Sequence, residues 1–183
     1  MYYKISPNVH IRNLYSPGFS WIRMSNYHGN LIFRFVPYLG KSEDGKSQYC
    51  KETFLSTSVR YDGASSYYQI AMSILLGDNC EKEIKDVIPC KNNATLTFEY
   101  KPDQGDQMAA YLIINKNNLT IPFKFPTHEY DAKVNGRMVT KVIQTGLIGF
   151  IKALEEYLAA IGADSYLKKY TEEELYNLQR HHH

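Results

Sequence analysis

The sequence predicts an α+β protein: two antiparallel β-sheets, each followed by a helix, a ββββα unit used twice with the helices packed together on one side. Three observations predict it. Alternating apolar and polar residues occur in two clusters, each closed by tight-turn pairs. A segment with helical spacing follows each cluster. The second set is offset from the first by about 80 residues, as a structural repeat without residue identity. At 183 residues the chain suits one well-packed domain or two small halves sharing a core. We therefore expect a single domain over 1–170 made of two pseudo-repeats, about 1–78 and 92–162, then a C-terminal helix or tail over 171–180. His181, His182 and His183 look like the start of an expression tag.

In the first half, strands are predicted near 2–5, 19–28, 31–39 and 49–60. In the stretch FSWIRMSNYHGNLIFRFVPYL, Gly29-Asn30 reads as a two-residue hairpin turn. That choice sets His28 opposite Leu31 and pairs Tyr27 with Ile32, Met24 with Phe35, Arg23 with Val36 and Trp21 with Tyr38. Successive side chains alternate faces. One face gathers Ile22, Met24, Leu31, Phe33 and Phe35, an ordinary core, and the other gathers Trp21, Arg23, Tyr27, Arg34 and Tyr38. Rings that stack bases, interleaved with guanidinium groups that pair with phosphates, are what a single-stranded nucleic acid needs from a sheet. The plainer reading is that another element or subunit covers this face and the arginines snorkel or pair internally. A helix follows, with Ser65 or Ser66 as cap, Tyr67, Ile70, Ala71, Ile74 and Leu75 on one face, and Gly77 ending it. The connector GDNCEKEIKDVIPCKNN is charged and turn-rich, broken by Pro89.

The second half opens with the strand TLTFEYK, the turn PDQGDQ, the strand MAAYLIINK, the tight turn Asn117-Asn118 and the strand LTIPFKF. The register pairs Lys116 with Leu119, Ile114 with Ile121, Leu112 with Phe123 and Ala110 with Phe125 on an apolar face. The opposite face sets Tyr111 beside Lys124 and Asn115 beside Thr120, with Thr95, Thr97, Glu99 and Lys101 on the preceding strand. A long helix is predicted over 138–161, with Val139, Val142, Ile143, Leu147, Phe150, Ile151, Leu154, Leu158 and Ile161 in one stripe. The stripe exceeds what a small sheet covers, so it predicts a helix–helix interface and a homo-oligomer through the helix near 138–161. Gly146 and Gly149 would admit another backbone closely, or belong to a simple core helix. A final helix starts at Thr171, which forms a capping box with Glu174.

Other features narrow the function. A net charge of +2 is weak evidence for any partner and requires a nucleic-acid binder to concentrate its positive charge on one surface. Sixteen tyrosines against one tryptophan suit surfaces that are part apolar and part wet, and equally suit strands. No apolar run reaches membrane-span length and MYYKISPNVH has no signal-peptide core, so no membrane partner and a cytoplasmic or intracellular location are expected. Cys80 and Cys90 could bridge, but three cysteines without CxxC spacing predict free thiols and no zinc pattern. His10, His28 and His128 have no Cys or Asp at ligand spacing, and no phosphate loop or serine elbow is present. Neither a cofactor nor an enzymatic activity is expected.

The element order, the hairpin WIRMSNYHGNLIFRFVPY and the helix VTKVIQTGLIGFIKALEEYL together resemble the Whirly fold, over about residues 1–165. That fold is shared with kinetoplastid mitochondrial RNA-binding proteins and related to coactivator-type single-stranded DNA-binding domains. The resemblance implies two four-stranded sheets each followed by a helix, four protomers meeting through helices, and single strands running over the sheets. No residue is carried over by motif match, so the site residues rest on the face assignment alone. The expected function is single-stranded DNA binding, with RNA the lesser expectation and little sequence specificity, coating exposed strands in replication, recombination or repair. Trp21, Tyr27, Tyr38 and Tyr111 are expected to stack bases, while Arg23, Arg34, Lys101 and Lys124 meet phosphates. The rival is a protein-interaction or structural module, because Tyr, Trp and Arg are also enriched at protein interfaces.

Overall fold

Two turns set the frame of the first sheet in the computed structural model, which describes residues 9–77, 82–102 and 108–182. Strand β1 (Val9–Ser16) pairs with β2 (Ser20–Tyr27), and β2 pairs with β3 (Asn30–Lys41). His28 and Gly29 have φ of 50° and 79°, so they form the centre of the β2–β3 turn rather than Gly29-Asn30. Histidine is one of the few side chains that visits positive φ at modest cost, and Asn26 Oδ1 accepts from Gly29 N at 3.2 Å. The pairing therefore slides by two residues from the expected register: Met24 faces Phe33, Arg23 faces Arg34 and Trp21 faces Val36. A slip of two leaves the faces unchanged. Ile22, Met24, Leu31, Phe33 and Phe35 are all fully buried, as expected.

Strand β3 is 12 residues long and two partners share its second edge. Strand β4 (Ser47–Tyr49) pairs with its far end and β5 (Leu55–Val59) with Leu31–Phe35. The expected continuous strand over 49–60 is thus broken at 50–54, where Cys50 N bonds Pro37 O. The expected strand at 2–5 lies outside the described residues, and β1 was not anticipated. Helix α1 (Tyr61–Leu75) starts four residues before the predicted serine caps, behind an extended Arg60 with no side-chain cap. Gly77, at φ 80°, ends it.

The second sheet runs β6 (Ile84–Pro89), β7 (Thr95–Pro102), β8 (Met108–Lys116) and β9 (Leu119–Lys124) in chain order. The connector, read from the sequence as charged, turn-rich and broken by Pro89, contains β6 as an edge strand with Pro89 at its end, where the missing N–H does no harm. Asn117 and Asn118 have φ of 53° and 60°, and the β8–β9 register is the predicted one.

Between β9 and the next helix, β10 (His128–Val134) and β11 (Arg137–Ile143) form a separate hairpin around Asn135-Gly136. The expected helix over 138–161 is therefore only α2 (Thr145–Ala160); residues 138–143 are strand, favoured by β-branched Val139, Thr140, Val142 and Ile143. The stripe on α2 is covered inside the chain. Phe150 lies 5.1–6.5 Å from the rings of Phe33, Tyr67, Phe98 and Phe125, so both sheets and α1 share one core around it. The stripe therefore gives no ground for a subunit interface. The backbone admitted by Gly146 is the chain's own Pro126, whose carbonyl accepts Gly146 N at 2.8 Å.

Helix α3 (Glu172–His182) carries the predicted capping box, with Thr171 N to Glu174 Oε2 at 2.8 Å and Glu174 N to Thr171 Oγ1 at 3.1 Å. Two serine bonds join the sheets: Ser16 Oγ to Lys124 O and Ser20 Oγ to Pro122 O. Lys116 Nζ donates to Ser56 O at 3.1 Å. Cys50 and Cys90 are free thiols, and Cys80 lies outside the described residues. No helix among the described residues is long and apolar enough to cross a membrane.

Candidate nucleic-acid interface

The faces turned away from the core carry the residues of interest. On the first sheet, parity places Asn13 and Tyr15 of β1, Trp21 and Arg23 of β2, and Arg34, Val36 and Tyr38 of β3 on one outer face. Tyr15 and Trp21 are directly opposite, with ring centroids 6.0 Å apart and planes 6° from parallel. Tyr49 of β4 meets both Tyr15, at 6.5 Å, and Tyr38, at 5.8 Å. Burial, then the neighbouring Tyr38 and Tyr15 hydroxyls, push the Tyr49 hydroxyl pKa up.

Arg23 and Arg34 are directly opposite. Like charges in this position destabilise a sheet unless something compensates. Arg34 rests its guanidinium on Phe54, 4.4 Å from the ring centroid. Among the described residues neither arginine has a carboxylate within ion-pair distance. Asn13 Oδ1, Trp21 Nε1 and Arg23 Nε are buried without hydrogen-bond partners, an unusual density of unpaired polar atoms for one patch.

On the second sheet, Lys85, Glu99, Tyr111 and Lys124 form a row across β6, β7, β8 and β9. Lys101 is exposed beside this row. Lys85 and Lys101 each lie 3.7 Å from an oxygen of Glu99, so that carboxylate offsets much of the local positive charge. Phe19 links the two faces. Its carbonyl accepts Tyr38 N at 3.3 Å, and its ring meets Tyr111 at 6.2 Å.

The expected residues thus fall into three places. Trp21, Arg23, Arg34 and Tyr38 gather on the first sheet, and Lys101, Tyr111 and Lys124 on the second. Tyr27 sits apart at the hairpin end, with its ring against His28 at 4.1 Å. Sequence reasoning missed Tyr15, Phe19, Tyr49 and Phe54. The alternation in HIRNLYS would have revealed Tyr15, and the corrected register Phe19. Nothing local reveals that Tyr49 reaches Tyr15.

No group of three or more His, Cys, Asp or Glu side chains converges among the described residues. Comparison with known proteins yields no match to a family model, to a curated protein or to a solved structure.

Proposed function

We propose that the chain binds single-stranded nucleic acid, DNA before RNA, on the outer face of its first sheet and without catalysis. The Arg23–Arg34 pair carries this reading: two guanidinium groups held opposite one another, with no carboxylate in ion-pair distance among the described residues, beside the Tyr15–Trp21 stack. An anionic backbone relieves that repulsion while its bases lie on the rings. The repetition of an antiparallel sheet followed by a helix, five strands then α1 and four strands, a separate hairpin and then α2, supports the reading in the same direction as the Whirly resemblance, though only as analogy of fold. Coating of exposed strands in replication, recombination or repair is the role this activity suits.

The test is fluorescence anisotropy of labelled oligo-dT against tag-free protein at several salt concentrations, with duplex DNA as competitor. Two cations at the phosphates, Arg23 and Arg34, give a slope of log K against log salt of about −1.4, and Arg34→Ala reduces it by about 0.7. Trp21→Ala removes one stacking platform, about 1–3 kcal/mol, or roughly 5-fold to 150-fold in affinity. Absence of binding at low salt, or equal competition by duplex, overturns the reading and points to a protein surface as the partner.

A further inference from the structure

The β10–β11 hairpin joins neither sheet: among the described residues β10 pairs with β11 alone. It is rooted at one end, where Ile143 is buried, Gln144 N donates to Gln179 Oε1 at 2.7 Å, and α3 packs on β11. Tyr130 also reaches the core there. Beyond that root both strands run out into solvent, with Val134, Met138 and Val139 exposed. A lone two-stranded hairpin is marginal in water at best, so a partner laid on it would add what the fold leaves out. The helix that supports the hairpin also borders the edge strand of the first sheet, because Arg12 of β1 binds Glu172 at the start of α3 at 3.2 Å.

Parity separates the charges of the hairpin. One face holds Tyr130 and Val134 of β10 with Arg137, Val139 and Lys141 of β11, and the other holds Glu129, Asp131 and Lys133 with Met138 and Thr140. Both carboxylates of the hairpin are therefore on the second face, where Thr140 Oγ1 donates to Asp131 Oδ1 at 3.2 Å. On the first face Lys141 is directly opposite Tyr130, and Arg137 directly opposite Val134. Among the described residues neither cation has a carboxylate within ion-pair distance. A ring and unneutralised cations thus share one side of a strand pair, as they do on the outer face of the first sheet. A partner for this face must supply negative charge and apolar surface together. A second copy of the same face would bring four cations together, which repels it.

Resting on the single-strand reading above, we infer that the Arg137–Lys141 face of the β10–β11 hairpin is a second contact for the bound nucleic acid, taken up only by molecules long enough to run on past the first sheet. Arg137 and Lys141 are four residues apart, about 13 Å along β11, so they meet different phosphates. Val134 and Val139 then lie against the sugars and bases between those phosphates. The nucleic acid itself joins the two contacts, so the second engagement is intramolecular and adds affinity without being tight on its own.

The test is fluorescence anisotropy of tag-free protein with labelled oligo-dT of about 5 and about 30 nucleotides, near the bottom of and well beyond the roughly 4–16 nucleotides that one binding face covers. The proteins are the wild type, the double variant Arg137→Gln/Lys141→Gln, and Lys133→Gln from the opposite face as control. On the long oligo the double variant has a slope of log K against log salt that is shallower by about 1.4, two phosphates at about 0.7 each, so a fourfold rise in salt weakens it about sevenfold less than the wild type. On the short oligo the double variant binds like the wild type, and Lys133→Gln matches the wild type on both. Arg137→Lys/Lys141→Arg, which keeps both charges, retains the wild-type slope. An unchanged slope on the long oligo, an equal change on both oligos, or an effect of Lys133→Gln as large as that of the double variant overturns the hairpin contact and leaves the single-strand reading standing. A wild type that binds neither oligo overturns the reading and the hairpin contact with it.

Discussion

Gly146→Ala tests the architecture at its tightest point. A Cβ added at Gly146 would lie 2.4 Å from Pro126 Cδ, 2.7 Å from Pro126 N and 3.0 Å from Pro126 Cγ. Neither a backbone nitrogen nor a ring locked to it can rotate away, so α2 must retreat from the turn after β9. The helix N-terminus is bonded to that turn twice, through Gly146 N and through Thr145 Oγ1 to Pro126 O. Phe150, one turn further on, sits among four other rings. Overpacking of this kind costs typically about 1–3 kcal/mol, and the lost core contacts push the value to the upper part of that range. Alanine returns about 1 kcal/mol of helix propensity. The net loss is about 2 kcal/mol, or about 4–8 °C in Tm for a chain of this size.

Gly149→Ala is the control. Its Cβ would meet only Arg12 Nη1 and Leu14 Cδ2, each at 3.5 Å, which is ordinary contact. The propensity gain is the same, so stability should rise by up to about 1 kcal/mol. The difference between the two variants isolates the Pro126 contact. Thermal and urea unfolding followed by circular dichroism measures both. A Gly146→Ala protein as stable as Gly149→Ala would refute the close approach of α2 to Pro126.

Two further predictions concern buried polar groups. Burial holds the hydroxyls of Tyr67 and Tyr68 protonated far above the usual tyrosine range, with nearby carboxylates adding to the effect. Because the folded pKa is raised, this stability is full below the unfolded value of about 10 and is lost as pH climbs above it, by about 1.4 kcal/mol per pH unit for each ring. Urea midpoints at pH 9, 10 and 11 should fall steeply after pH 10, and Tyr67→Phe should make that fall shallower without abolishing it, because burial raises Tyr68 and Tyr157 as well; a flat profile defeats the argument. Lys152→Met leaves the buried Glu155 carboxylate without its 2.6 Å ammonium partner and removes a donor to Tyr170 O, so unfolding should show a loss of about 1–3 kcal/mol. Adding Glu155→Gln should restore part of it, since an amide is cheaper to bury than a carboxylate, and no recovery would mean the packing of the lysine stem matters more than its charge.

The parts of the fold that were legible in the sequence are those fixed by parity and by an unambiguous turn. Asn117-Asn118 allowed one placement, and the β8–β9 register followed. In His28-Gly29-Asn30 two turn placements compete. The wrong one still preserved the faces, because the two differ by an even slip. The helix misplaced over 138–143 shows how periodicity misleads: Val139, Val142 and Ile143 happen to continue the α2 stripe backward at helical spacing. The signals against it were local, an Asn-Gly turn at 135–136 and a run of β-branched residues. Within the site, Trp21, Arg23, Arg34 and Tyr38 were readable because they lie on two adjacent strands. Phe19 meeting Tyr111, and Tyr49 meeting Tyr15, depend on how the sheets meet and on β4 pairing back along β3. No short-range pattern encodes either.

The distribution of ion pairs decides which half of the molecule should dominate binding. With a net charge of +2 there is little long-range attraction, so any affinity for phosphate must come from cations left unneutralised locally. Arg12, Lys46, Lys85, Lys101, Lys152 and Lys169 each lie within 4 Å of a carboxylate. Glu99 alone engages two of them, and it sits in the same row as Tyr111 and Lys124. A phosphate approaching the second sheet therefore meets a carboxylate as well as lysines, and part of the attraction is cancelled. The first sheet offers two arginines, already opposed to each other, beside a stacked tryptophan. It follows that Lys101→Ala should weaken oligo-dT binding less than Arg34→Ala. Glu99→Gln should tighten binding, because it frees Lys85 and Lys101 together. If instead Lys101→Ala weakened binding more than Arg34→Ala, the strand would have to lie chiefly on the second sheet, and the Arg23–Arg34 pair would lose its place as the centre of the site.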